Sequence, residues 1–167
     1  RTGLIGYSYG ARIITGALHL LGGGTLAGQT VSAGEQPTIR VALWASGLHN
    51  HWLLPGHYHG QALAMAERWL ITYNCCDPVL ARYQWLEKCG DPVALGYSGL
   101  YGRNLLPPDL NNRVEEMNVS CLVGGTHDMR AYLFSLPVQK RTRLDVLWHE
   151  LEVAEKPGQA LAAMTAE

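Results

Sequence analysis

Leu4-Ile5-Gly6-Tyr7-Ser8-Tyr9-Gly10-Ala11-Arg12-Ile13 joins an apolar run to a helical pattern through Gly-x-Ser-x-Gly, and the rest of the chain is read outward from it. A strand that bends abruptly into a helix forces the residue at the bend into a strained backbone conformation. The flanking Gly6 and Gly10 are expected to remove side chains that would collide there. Ser8 then stands above the sheet edge as a candidate nucleophile. The start of the following helix aims unpaired backbone N–H groups at the same place, so the Tyr9 N–H is a candidate oxyanion donor.

Working forward, Gly3 to Tyr7 reads as a short buried strand and Ala11 to Leu21 as a helix with Ile13, Ile14, Ala17, Leu18 and Leu21 apolar. Gly22-Gly23-Gly24 ends it, and a polar connection leads to a second buried strand, Ile39 to Ala45. Strand, helix, strand is the crossover unit of a parallel sheet. A lid-like loop near 47–60 follows, then a helix over 61–68 and a third strand, 69–74. Asp77-Pro78 comes directly after that strand, with a helix expected from Val79 to Lys88. The glycine- and proline-rich segment near 89–113 reads as an irregular insertion. Val119 to Val123 reads as a fourth strand, followed by Gly124-Gly125-Thr126-His127 and a helix over 129–136. An amphipathic helix is expected over 138–154, and residues 155–167 as a loose tail. The fold class is therefore α/β, with a parallel sheet of about four strands and crossover helices.

Ser8, Asp77 and His127 each fall just beyond a strand's carboxyl end, where open α/β sheets bind ligands. Their order is the Ser, acid, His order of the α/β-hydrolases, and Gly6 to Gly10 resembles that family's nucleophile elbow. The resemblance covers most of Gly3 to Leu136. It implies a partial α/β-hydrolase domain over 1–154, corresponding to the fold's C-terminal half from the elbow onward. The family's preceding strands, and the loop supplying its second oxyanion donor, have no counterpart upstream of Gly3. The resemblance also implies that Ser8 attacks an acyl carbon, that His127 takes and returns the proton, and that Asp77 orients the imidazole. These residue types suit the chemistry because a serine hydroxyl is barely ionised at neutral pH, whereas imidazole titrates close to it. A small acyl or ester substrate and no cofactor follow. Tyr7, Trp52, Leu53 and Leu54 are the candidate substrate-binding residues.

Rival residues exist. Asp91-Pro92-Val93 repeats Asp77-Pro78-Val79, but no strand pattern precedes it; Asp128 adjoins His127; Ser98 lies in Gly96-Tyr97-Ser98-Gly99, where Leu100 replaces the last glycine. His49 and His51 could present two imidazoles to a metal, but the 47–60 loop holds no acid, and no metal site is expected.

Composition restricts the classes of function. The net charge is −1 over 167 residues, with 47% hydrophobic content, which favours a packed core and argues against a grip on nucleic acid. The stretch Ile13 to Gly34 carries no acid, lysine or arginine but is broken by glycines, so no membrane span is expected. Cys75, Cys76, Cys89 and Cys121 show no C-x-x-C spacing and read as reduced, buried thiols, which suits a reducing, cytoplasm-like compartment. The alternative to an enzyme is a non-catalytic ligand- or partner-binding module, with self-association through the exposed edge of the first strand.

Overall fold

The structure is a computed structural model that describes residues 1–31, 37–87 and 92–148. In chain order its elements are β1 (Thr2–Tyr7), α1 (Gly10–Leu21), a two-residue-per-strand hairpin of β2 (Thr25–Leu26) and β3 (Gln29–Thr30), β4 (Ile39–Trp44), β5 (Arg68–Tyr73), and α2 (Tyr83–Leu86). There follow α3 (Leu95–Ser98), α4 (Pro108–Asn111), β6 (Val114–Asn118), α5 (Ser120–Val123), α6 (Met129–Phe134) and α7 (Leu136–Val146). The protein has an α/β fold. Four parallel strands lie in the order β1-β4-β5-β6, with helices on both faces.

The two central strands explain this layering. Ile39, Val41 and Leu43 of β4 and Trp69 and Ile71 of β5 enter one core with Ala11 and Leu18 of α1, and with Leu63 of the 3-10 turn at 62–65. Ala42, Trp44 and Leu70, at the alternate positions, enter a second core with Tyr132 of α6 and Val138 and Val146 of α7. Successive apolar positions, Val41 to Trp44 in β4 and Trp69 to Ile71 in β5, must be covered on both faces, as these are. Because all four strands run the same way, their carboxyl ends share one edge of the sheet.

Several expectations are corrected. The fourth strand is Val114–Asn118, not 119–123, and Ser120–Val123 is a helical turn whose Ser120 N–H is taken by Asn118 Oδ1 at 3.0 Å. Distant arginines make the acidic strand workable: Glu115 pairs with Arg141 at 3.3 Å, and Glu116 with Arg103 at 3.1 Å. The helix expected over 61–68 is only the 3-10 turn Ala62–Met65. That over 79–88 is the 3-10 turn Leu80–Arg82 continued by α2. The insertion near 89–113 contains α3, α4 and a 3-10 turn, Arg103–Leu105. Of the helix expected over 138–154, α7 spans Leu136–Val146; residues 149–154, the 155–167 tail, Cys89 and Asp91 lie outside the described residues. Cys75, Cys76 and Cys121 are free but exposed rather than buried: Cys75 and Cys76 lie in the turn after β5, and Cys121 in the helical turn α5 rather than on a strand. Among the described residues no helix is long and apolar enough to cross a membrane.

Candidate active site

Ser8 follows β1 with φ +51°, a left-handed conformation that costs an L-residue about 1–3 kcal/mol and must be held by its surroundings. Three backbone bonds hold it. Ser8 N–H donates to Trp44 O at 3.0 Å, Gly47 N–H donates to Ser8 O at 3.0 Å, and Ala11 N–H to the same oxygen at 3.2 Å. The expected need for two glycines is half right. A Cβ at Gly6 would lie 3.0 Å from Ala11 Cα, so the close approach of β1 and α1 at this point depends on a residue without a side chain; at Gly10 an added Cβ meets nothing within 4 Å.

Asp77 uses its two oxygens for two tasks. Oδ1 accepts from Val79 N–H at 2.9 Å and Leu80 N–H at 3.0 Å, which starts the next helical turn and fixes the carboxylate plane. Oδ2 lies 2.7 Å from His127 Nδ1. Asp77 is 0% exposed, so the charge has little water and depends on these partners. His127 Nε2 in turn lies 3.0 Å from Ser8 Oγ. With the imidazole proton on Nδ1, donated to Asp77, Nε2 is left as acceptor for the Ser8 hydroxyl. The structure thus brings Ser8, His127 and Asp77 into one hydrogen-bonded chain, Ser8 from the end of β1, Asp77 from the turn after β5 and His127 from the loop after α5.

Tyr9, at the head of α1, has no acceptor for its N–H among the described residues. Arg12 lies in the same first turn, where the helix dipole would favour an acid. Its Nε donates to Gly47 O at 2.6 Å, its terminal nitrogen bonds Tyr83 Oη and Glu87, and its guanidinium lies 4.6 Å from the Tyr9 ring and 5.2 Å from that of Trp52. Through Gly47, whose N–H bonds Ser8, this cation braces the elbow.

The other sequence candidates are placed as follows. Tyr7 is at the site, but its hydroxyl donates to His127 O, anchoring the histidine loop. Burial, with Asp77 and Asp128 nearby, holds that phenol above its usual range. Leu53 and Leu54 are buried in the core with Leu63 and Leu95, and Trp52 stacks on His49 at 4.4 Å. An apolar hollow of about 500 Å³ lies elsewhere, lined by Pro78, Val79, Arg82 and Trp85 on the segment after Asp77. Ser98 Oγ accepts from Asn50 at 3.0 Å and is 3.1 Å from Gly99 O. Asp128 is taken by Arg130 at 2.7 Å.

Among the described residues no group of three or more His, Cys, Asp or Glu side chains is arranged to hold a metal. The loop histidines instead pack on aromatic rings and on one another, His51 against His57 at 5.2 Å. Burial pushes His49 and His51 below the usual imidazole range, and lowers His59 to about 4 with help from His19 and Arg12.

Sequence reasoning missed the Tyr7 anchor and the Arg12 brace. Their only signal is position, Tyr7 directly before the candidate serine and Arg12 one turn into its helix. Comparison with protein-family models, curated proteins and solved structures finds no match to this chain.

Proposed function

We propose that the protein is a serine hydrolase that cleaves a carboxylic ester or related acyl compound through an acyl-serine intermediate, in the manner of the α/β-hydrolases its elbow resembles. The observation that carries this reading is the chain of two short contacts, 3.0 Å from Ser8 Oγ to His127 Nε2 and 2.7 Å from His127 Nδ1 to Asp77 Oδ2. In this reading Ser8 Oγ adds to the acyl carbon while its proton passes to Nε2, and Asp77 stabilises the resulting imidazolium. The carbonyl oxygen, now an anion, takes the Tyr9 N–H at the positive end of α1. His127 returns the proton to the leaving oxygen as the ester bond breaks. A water then repeats the sequence against the acyl-serine, releasing the acid.

A p-nitrophenyl ester tests it. The account expects a burst of nitrophenolate equal to the enzyme present, followed by slower turnover, and expects both to be lost in Ser8→Ala. Turnover unchanged in Ser8→Ala contradicts it.

A second reading, a binding module without catalysis, is favoured by β1 alone, which among the described residues pairs only with β4 and leaves Ile5 44% exposed. A concentration-dependent dimer with no burst would support that reading; a monomer that shows the burst would exclude it.

A further inference from the structure

The residues after Asp77 form a two-faced segment. Leu80 and Tyr83 are buried in the second core, whereas Val79, Arg82 and Trp85, at intervals of three, share the opposite face. Trp85 is 72% exposed and Val79 44%, an apolar surface that the described residues leave uncovered. With Pro78 and Arg82 they line the hollow of about 500 Å³, a volume within the range of small-molecule sites. Its walls are tied together: Arg82 Nη1 donates to Pro78 O at 2.6 Å, and the guanidinium lies 5.8 Å from the Trp85 ring centroid. The arginine thereby bridges the first residue of the hollow to the last.

Both ends of the segment are pinned to the candidate active site. At one end Asp77 Oδ1 accepts from Val79 N–H at 2.9 Å and from Leu80 N–H at 3.0 Å. At the other, Tyr83 Oη accepts from Arg12 and donates to Gly47 O at 3.4 Å, and Gly47 N–H donates to Ser8 O at 3.0 Å. The bonds that run from Ser8 Oγ through His127 and Asp77 to the Val79 N–H limit that separation to at most about 13 Å. With C–C bonds of about 1.5 Å, an extended hydrocarbon chain advances about 1.3 Å per carbon, so about ten carbons cover even the longest path.

We propose that this hollow receives the straight alkyl chain of a medium-chain ester, about eight to twelve carbons long, whose carbonyl lies at Ser8. The inference rests on the hydrolase reading and adds to it the class of substrate. An alkyl chain suits the lining better than a polar group does. The walls offer hydrocarbon and an indole face, and their one cation is already engaged by Pro78 O and by that indole, so burial of apolar surface is the interaction they supply.

Two ester series test this and separate the two ends of the substrate. In p-nitrophenyl alkanoates the chain is on the acyl side; in alkyl acetates it is on the alcohol side, with acid release followed by pH-stat. From the two-carbon to the ten-carbon member, kcat/KM should rise in one of the series by up to about fourfold for each methylene that enters the hollow. In Trp85→Ala the ratio of the ten-carbon to the two-carbon ester should fall about tenfold or more, and Trp85→Phe should keep most of it. Independently of turnover, 1-octanol should shift the indole 15N–1H resonance of Trp85. A flat profile in both series, a ratio that Trp85→Ala leaves intact, or an unmoved Trp85 resonance overturns the proposal. Turnover of the short esters with a flat profile would leave the hydrolase reading standing. No turnover of any ester would count against that reading, and the octanol shift would then decide whether the hollow takes an alkyl chain.

Discussion

At the scale of single residues, the account depends on side chains that face one another because each is fixed by something else. Tyr7 is the clearest case, since its hydroxyl holds the backbone of His127 rather than any substrate. Tyr7→Phe removes that bond and keeps the ring, which packs 5.4 Å from the His127 imidazole. The loss should be about 1 kcal/mol, seen as a roughly fivefold lower kcat with KM unchanged, because only the proton-transfer geometry is affected. A rise in KM at constant kcat would return Tyr7 to a substrate-binding role. Ser8 and Asp77 were legible as candidates because each follows an apolar strand, and such strands end at the same edge of a parallel sheet; His127 was singled out by the run 119–123, which is a helical turn beyond the end of β6. Leu53 and Leu54, expected to bind substrate, pack in the core: apolar residues in a loop serve the core as readily as a ligand, and nothing local distinguishes the two uses. Arg12 was overlooked because its partners, Gly47, Tyr83 and Glu87, are far off in sequence.

At the scale of elements, the crossing of β1 and α1 decides whether the bend at Ser8 can form. Gly6→Ala places a methyl 3.0 Å from both Ala11 Cα and Ile14 Cδ1, and should destabilise the fold by about 1–3 kcal/mol in urea denaturation. Gly10→Ala meets open space in the first turn of the helix, and should be neutral or stabilising by up to about 1 kcal/mol. Equal costs at the two positions would mean that the elbow is not packed as described. The first three sheet strands were readable from their apolar runs. β6 was not, because a strand reading Val-Glu-Glu-Met-Asn is tolerated only where arginines from other elements meet its carboxylates, and that is a tertiary fact. The run after it, 119–123, has strand composition, yet Asn118 Oδ1 takes the Ser120 N–H and turns the chain.

At the scale of the whole molecule, the buried histidines couple folding to pH. His59 Nδ1 lies 2.8 Å from Thr15 Oγ1, between α1 and the 47–60 loop, and its folded pKa is about 4 against an ordinary value near 6.5. Across this window the unfolded chain takes up a proton that the folded chain refuses, so stability is undiminished above about pH 6.5 and falls as the pH drops toward 4. His59 alone accounts for a loss on the order of 3 kcal/mol, and His49 and His51, lowered in the same direction, add to it. Urea midpoints measured from pH 7 to pH 4 should fall accordingly, and His59→Gln should flatten the slope. A wild-type midpoint that is constant over this range would contradict the burial of His59. The acidic limb need not track activity, because the loop histidines stand apart from the contacts of Ser8, His127 and Asp77.

The central claim is that the strained serine at the β1 to α1 bend is the nucleophile, activated by His127. Treating the native protein with a fluorophosphonate and locating the adduct by peptide mass spectrometry tests it most directly. The account predicts one adduct, on the peptide containing Ser8, with labelling abolished in Ser8→Ala and slowed by orders of magnitude in His127→Ala. An adduct on another residue such as Ser98, or no adduct on the native protein, would contradict it.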